Sequence, residues 1–161
     1  MSFPSGPVLR EMRDAEYLVW AEKSRASYAA DKMKANGYTR EEADRIADES
    51  FTRLLPHGRK SPDQFFYVLE LGGEHLGSLW FALQGVATNR KAFIYDVLID
   101  VSARGKGFGR AIMSLAELEA KRLGAVAIGL HVFAFNTPAV KLYESLAYRV
   151  TDLSMEKRLA P

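Results

Sequence analysis

Apolar and polar positions change rhythm several times along this chain, and each change marks an element. Residues 8–12, VLREM, read as a short strand, and the following DAEYLVWAEKSRASYAADKMKA sets Tyr17, Trp20, Ala21, Tyr28 and Met33 at loose helical spacing. Gly37 ends that helix. Thr39, with Glu42 three residues on, has capping-box spacing and predicts a second helix to about Leu54, after which HGRKSP forms a loop. From Gln64 the period shortens: FFYVLEL and LGSLWFAL are strand-like runs joined through the Gly-Gly turn of LGGEH, which predicts a hairpin. AFIYDVLI is a third long strand, and antiparallel pairing of the three is the simplest arrangement.

Helical rhythm returns over residues 108–123, where Ile112, Leu115, Ala116, Leu118 and Leu123 alternate with charges before Gly124 closes the segment. In AVAIGLHVF, Val126, Ile128, Leu130 and Val132 alternate with Ala127, Gly129 and His131, which is strand periodicity. Asn136, Thr137 and Pro138 then start another helix, Pro138 suiting a first helical turn. A strand up to Ile99, a helix and a strand from Ala125 read as a parallel crossover unit. YRVTDLSMEKRL predicts a terminal hairpin.

A chain of 161 residues is the size of one domain, expected over residues 1–161. No apolar run approaches the roughly 20 residues of a membrane helix, so no membrane partner is expected. MSFPSGPVLREM lacks the basic head and apolar core of a secretory signal. With no cysteine, and with His57, His75 and His131 scattered, neither disulfides nor a metal site is expected, and a cytoplasmic location fits. The net charge of +2 falls short of a nucleic-acid binder's footprint. The local exception is VSARGKGFGR (101–110), where Arg104, Lys106 and Arg110 stand without an acid among them.

In that stretch a strand ends, Gly105, Gly107 and Gly109 alternate, and a helix begins. Glycines let a ligand approach backbone N–H groups without Cβ contact, and a helix N-terminus offers unpaired N–H groups and a positive dipole end. The three cations add charge-assisted bonds. A phosphate, more specifically a pyrophosphate, is the ligand this predicts; the plainer alternative is a Gly-rich turn with solvated charges. A Walker loop would end in Gly-Lys-Ser/Thr, whereas this one ends Gly-Phe-Gly-Arg. A dinucleotide fold would place G-x-G-x-x-G on a first strand; here the glycines run G-x-G-x-G two-thirds along the chain.

With its flanks, the stretch resembles the acetyl-CoA-binding core of the GNAT superfamily of N-acetyltransferases. Arg104 to Gly109 fits the family's Gln/Arg-x-x-Gly-x-Gly/Ala signature, and Asn136 to Glu144 (NTPAVKLYE) resembles its Asn-x-x-Ala-x-x-Leu-Tyr-Glu segment. The strong resemblance covers residues 91–158. It implies an α/β fold of the α+β mixed-sheet kind: a mostly antiparallel, splayed sheet with flanking helices and a central parallel crossover, and acetyl-CoA wedged between the fourth and fifth strands. Pantetheine would pair with the backbone of Val97, Leu98 and Ile99. The pyrophosphate would lie on Arg104, Gly105, Lys106, Gly107, Phe108, Gly109 and Arg110, and Asn136 would complete the cofactor-binding set. No metal is implied.

The same resemblance makes Tyr143 the donor of a proton to the leaving thiolate; read alone, Tyr143 is equally a core aromatic beside Val140 and Ala147. Where many members carry a Glu base on the fourth strand, this chain has Tyr95 with Asp96 beside it. Others use an acid five residues before the Asn, here His131, and a neutral histidine accepts a proton directly or through water. Asp96 orients His131, acts alone, or satisfies buried N–H groups. His57 and His75 read as solvated. Trp20, Tyr28 and Trp80 read first as core, and Glu22, Asp31 and Asp44 as a solvated helix face; the alternative puts them around an acceptor amine.

The function implied is acetyl transfer from acetyl-CoA to a primary amine by direct attack on the thioester. The acceptor is a small-molecule amine or a protein N-terminus or lysine, and a homodimer is compatible with the chain. The competing reading is a non-catalytic acyl-CoA-binding module that has lost its base. A dinucleotide-dependent oxidoreductase is a distant third.

Overall fold

The computed structural model describes residues 6–161; residues 1–5, at the start of the domain expected over 1–161, lie outside it. The elements run β1 (Val8–Glu11), α1 (Asp14–Asn36), α2 (Arg40–Leu54), β2 (Gln64–Leu71), β3 (Glu74–Gln84), β4 (Lys91–Ile99), α3 (Phe108–Arg122), β5 (Ala127–Leu130) and α4 (Thr137–Ser145). Local chemistry accounts for the boundaries. Gly37 closes α1 in the left-handed region, its N–H donating to the Met33 carbonyl. Thr39 and Glu42 form the expected capping box: the Thr39 N–H donates to the Glu42 carboxylate at 2.8 Å, and the Glu42 N–H donates back to the Thr39 hydroxyl at 3.3 Å.

The strands form one mixed sheet in the order β1-β2-β3-β4-β5, antiparallel from β1 to β4 and parallel between β4 and β5. The crossover through α3 is therefore as expected. Strand alternation sends two sets of side chains to opposite faces. On one face Phe66, Val68 and Trp80 pack with Met12, just past β1, with Trp20 of α1, and with Phe51 and Leu55 at the end of α2. On the other face Tyr67 donates its hydroxyl to Glu119 of α3 at 2.8 Å. Each fully buried large side chain stabilises the fold by roughly 1.5–3 kcal/mol, so these two layers hold the sheet between its helices.

A close approach and a bulge shape β4. A Cβ on Gly77 of β3 would lie 2.3 Å from the Leu98 carbonyl oxygen, so only glycine lets the backbones meet there. Further along, Trp80 pairs with Asp96 while its neighbour Phe81 pairs with Ile94, which leaves Tyr95 as the extra residue of a β-bulge. The β4–β5 ladder ends just before it, at Ile94–Leu130. β5 is accordingly shorter than the alternation over residues 125–133 suggests, because the bulge turns β4 away.

The chain divides into two compact units, one ending at His131 and one running Val132–Pro161. In the second, Asn136 caps α4 by accepting the Ala139 N–H at 3.4 Å, and Phe133 stacks on Phe135 with centroids 5.2 Å apart. The terminal hairpin expected over residues 148–159 is not formed: among the described residues no regular element follows α4. That segment has no Gly or Asn to make a tight reversal, and Val150, Leu153 and Met155 are all exposed, so no apolar face holds two strands together.

Candidate active site

The glycine stretch has the conformation its composition predicts. After β4 the chain makes a short 3-10 turn at Val101–Ala103, with Ala103 buried as an anchor, and then passes through Gly105 at φ 74° and Gly107 at φ 84° into α3. A Cβ at either glycine would meet nothing within 4 Å, so the space over the loop is open. The first helical bond runs from the Ala111 N–H to the Gly107 carbonyl, which leaves the Phe108 and Gly109 amides outside the intrahelical ladder. No acid lies in the first turn of α3. Arg104 is not wholly outward: its Nε donates to the Ile99 carbonyl at 3.0 Å and so pins the loop to the end of β4.

Beyond Ile94, the edge of β4 that faced β5 leaves the ladder, so Val97, Leu98 and Ile99 offer their backbone there while the opposite edge stays paired with β3. This edge and the glycine turn are continuous through the pinned loop. Together they fit an extended group ending in phosphates: an unladdered strand edge leading to an uncrowded backbone cradle.

On the helical side of the sheet, the bulge puts Tyr95 and Asp96, which simple alternation would separate, toward the same helices. Tyr95 stacks on Trp80 with centroids 4.6 Å apart, and its hydroxyl accepts from Gln84 Nε2 at 2.9 Å. Asp96 Oδ2 accepts from Trp20 Nε1 at 3.0 Å and from the Ser24 hydroxyl at 2.9 Å. Tyr95, Asp96 and Trp80 form one wall of a cavity of about 190 Å³; Ser24, Ser27, Tyr28 and Asp31 of α1 and Ser50, Phe51, Arg53 and Leu54 of α2 supply the rest. Burial pushes the Asp96 carboxyl above the usual carboxylate range against the pull of its two donors, and burial raises Asp31 as well.

The expected residues are thus partly brought together. Asp96 is in the cavity; His131 is exposed one residue past the end of β5. Asn136 and Tyr143 belong to the second unit, at the cap and in the body of α4, where the Tyr143 ring lies 5.9 Å from that of Tyr148. Tyr28, Trp80 and Asp31 line the cavity, whereas Trp20 stands behind it as a donor to Asp96. Glu22 is exposed, and Asp44 pairs with Arg40 on the outer face of α2. His57 and His75 are both exposed as expected, and His75 Nδ1 also lies 2.7 Å from the Asp100 carboxylate. Sequence reasoning missed Ser24, Ser27, Ser50 and Arg53. A signal existed for α1: Ser24, Ser27, Tyr28 and Asp31 recur at helical spacing, a polar stripe on a face that should be apolar if it only covered the sheet.

Comparison with known proteins shows the family. The model of the acetyltransferase (GNAT) family matches residues 30–148. The chain is 32% identical to the uncharacterized N-acetyltransferase YycN of Bacillus subtilis over 153 residues, covering 94% of this chain and 98% of YycN. It is 30% identical to the uncharacterized N-acetyltransferase YdgE of the same organism over 152 residues, covering 94% and 97% respectively. The crystal structure of YycN superimposes with a TM-score of 0.92, over 97% of this chain and 100% of that one, at 31% identity. The chain belongs to the GNAT family and is an N-acetyltransferase, and membership of that family implies the use of acetyl-CoA. Among the described residues no helix is long and apolar enough to cross a membrane.

Proposed function

We propose that the chain, acting as one domain over residues 1–161, transfers an acetyl group to a small primary amine held in the cavity between α1, α2 and β4. The observation that carries this is the position of Asp96. It lies on the bulge where β4 leaves the β4–β5 ladder, with its carboxylate toward the cavity and its backbone continuing into the free edge. Acetyl-CoA supplies the activated acetyl group. Val97, Leu98 and Ile99 hold its pantetheine, the turn from Arg104 through Gly105, Lys106, Gly107, Phe108 and Gly109 to Arg110 its pyrophosphate, and Asn136 completes the set by its place in the motif.

Asp96 takes a proton from the acceptor ammonium, so that a neutral amine meets the acetyl carbon. Its raised proton affinity suits the task, while Trp20 and Ser24 fix its orientation. Tyr143 gives its hydroxyl proton to the departing sulfur, a role resting on the Asn136–Glu144 motif. His131 is the second reading for the base, favoured by its exposure just past β5. Direct attack requires both substrates to be bound together.

Initial-rate kinetics with free-thiol release as the signal test this against a panel of small amines. Intersecting double-reciprocal lines and acceptor-dependent release are expected; parallel lines with an acetylated protein would rule out direct attack, and cofactor binding without acceptor-dependent release would support the non-catalytic module. Tyr143→Phe removes one hydroxyl and should lower turnover by roughly 10²–10⁴ with little change in the Michaelis constant for acetyl-CoA. A change of less than threefold in protein of known folded fraction, confirmed by single-turnover measurement, would remove Tyr143 from the chemistry.

A further inference from the structure

The cavity contains a second carboxylate that the transfer itself does not use. Asp31 lies on the same face of α1 as Ser24, the residue that donates to Asp96, and seven residues further on, a rise of about 10 Å along the helix. Among the described residues Asp31 makes no hydrogen bond or ion pair, although it is half-buried. Only Lys34, three residues on, pulls on it electrostatically, and a carboxylate withdrawn from water with so little compensation is costly. Between the two acids the walls are aromatic: Tyr28 beside Asp31, and Trp80 and Tyr95 beside Asp96. Aromatic faces attract a cation, as the Tyr28 ring does Lys32 at 5.4 Å, or cover the methylenes of an aliphatic chain. Among the described residues Arg53 is the only cation in the lining, and it is exposed.

Resting on the acetyl transfer proposed above, we infer that the acceptor is a diamine: one nitrogen is acetylated at Asp96, and a second, remaining charged, is held by Asp31 about two helical turns away across the aromatic wall. Asp31 then determines specificity. It anchors the far ammonium and touches no reacting atom, so its contribution appears in acceptor binding more than in turnover. Burial also raises the proton affinity of Asp31, and a bound ammonium would reverse that shift.

The test compares linear diamines of increasing length with the monoamines of equal chain length, using the intact protein, acetyl-CoA and thiol release. One charge-assisted bond in a partly desolvated site predicts a kcat/KM about 10- to 100-fold higher for the best diamine than for its monoamine, carried mainly by KM. Asp31→Asn should collapse that ratio toward unity, while Asp44→Asn, on the outer face of α2, should preserve it. Circular dichroism reports whether each variant is folded. Equal kcat/KM for diamines and monoamines, or a ratio that survives Asp31→Asn, overturns the inference and leaves acetyl transfer standing. Thiol release with none of the amines overturns both.

Discussion

The two halves of the candidate site are built from different materials. The cradle after β4 is made of backbone: left-handed glycines, the amides that open α3 and a strand edge, all within one continuous stretch from Tyr95 to Arg110. The acceptor cavity is made of side chains from two helices and two strands that are far apart in sequence. A backbone site binds whatever shares its shape and charge. A side-chain site is re-cut by each substitution. On the reading proposed above, the donor is held by backbone and the acceptor by side chains, so the two halves should respond to mutation independently except at Asp96, where they join.

The largest effect is expected at that junction. Asp96→Asn keeps the acceptors for Trp20 and Ser24 but removes the proton acceptor, and kcat/KM for the amine should fall by roughly 10²–10⁴. Cofactor affinity, measured by calorimetry, should hold within a few-fold. In the parent protein the acidic limb of the kcat/KM profile should rise at a pH above the ordinary aspartate range, because burial favours the protonated form. If Asp96→Asn keeps that limb and His131→Gln loses it, the base is His131 instead.

The mirror experiment attacks the cradle. Gly107→Val puts a branched Cβ into the open space above a φ of 84°, where a phosphate would sit. CoA affinity should drop by about 10- to 100-fold, the worth of one or two charge-assisted hydrogen bonds, while strain costs the fold roughly 1–3 kcal/mol. Binding of acceptor amines to the variant should be unaltered. Unchanged CoA affinity in folded protein would remove the phosphate cradle and, with it, the contrast between the halves.

That contrast also explains what could be read from the sequence. The cradle was legible because its requirements are local: alternating glycines after an apolar run, then an amphipathic helix, specify a conformation within ten or so residues. The capping box at Thr39 and the Gly72–Gly73 hairpin turn were legible for the same reason. The bulge at Tyr95 was not, since nothing in AFIYDVLI marks where a strand gains a residue, and strict alternation would put Tyr95 and Asp96 on opposite faces. The cavity depended on that bulge and on the packing of α1 against α2, so Ser50 and Arg53 carried no sign of their place in its lining. The terminal hairpin was misread because alternating apolar residues suggest a strand only when a neighbour exists to pair with it.

The smallest expected effect sharpens the comparison, because it separates a residue kept for chemistry from one kept for packing. In the folded chain burial raises the proton affinity of Asp96, whereas the unfolded chain exposes it to water. Between the unfolded and folded pKa values the native state binds the proton more tightly, so ionising Asp96 costs stability as pH rises through its folded value, and the carboxyl is most easily tolerated below its unfolded value. An asparagine at this position never ionises. Asp96→Asn should therefore lose little stability, or gain some, at neutral pH, with the difference between variant and parent moving in the variant's favour as pH is raised from acid. Urea denaturation at several pH values from acid to neutral measures it. A packing residue behaves otherwise: a variant that is less stable by a constant amount at every pH would mean that the hydrogen bonds from Trp20 and Ser24, not the ionisation, dominate the site, and that Asp96 anchors α1 to β4 more than it serves the amine.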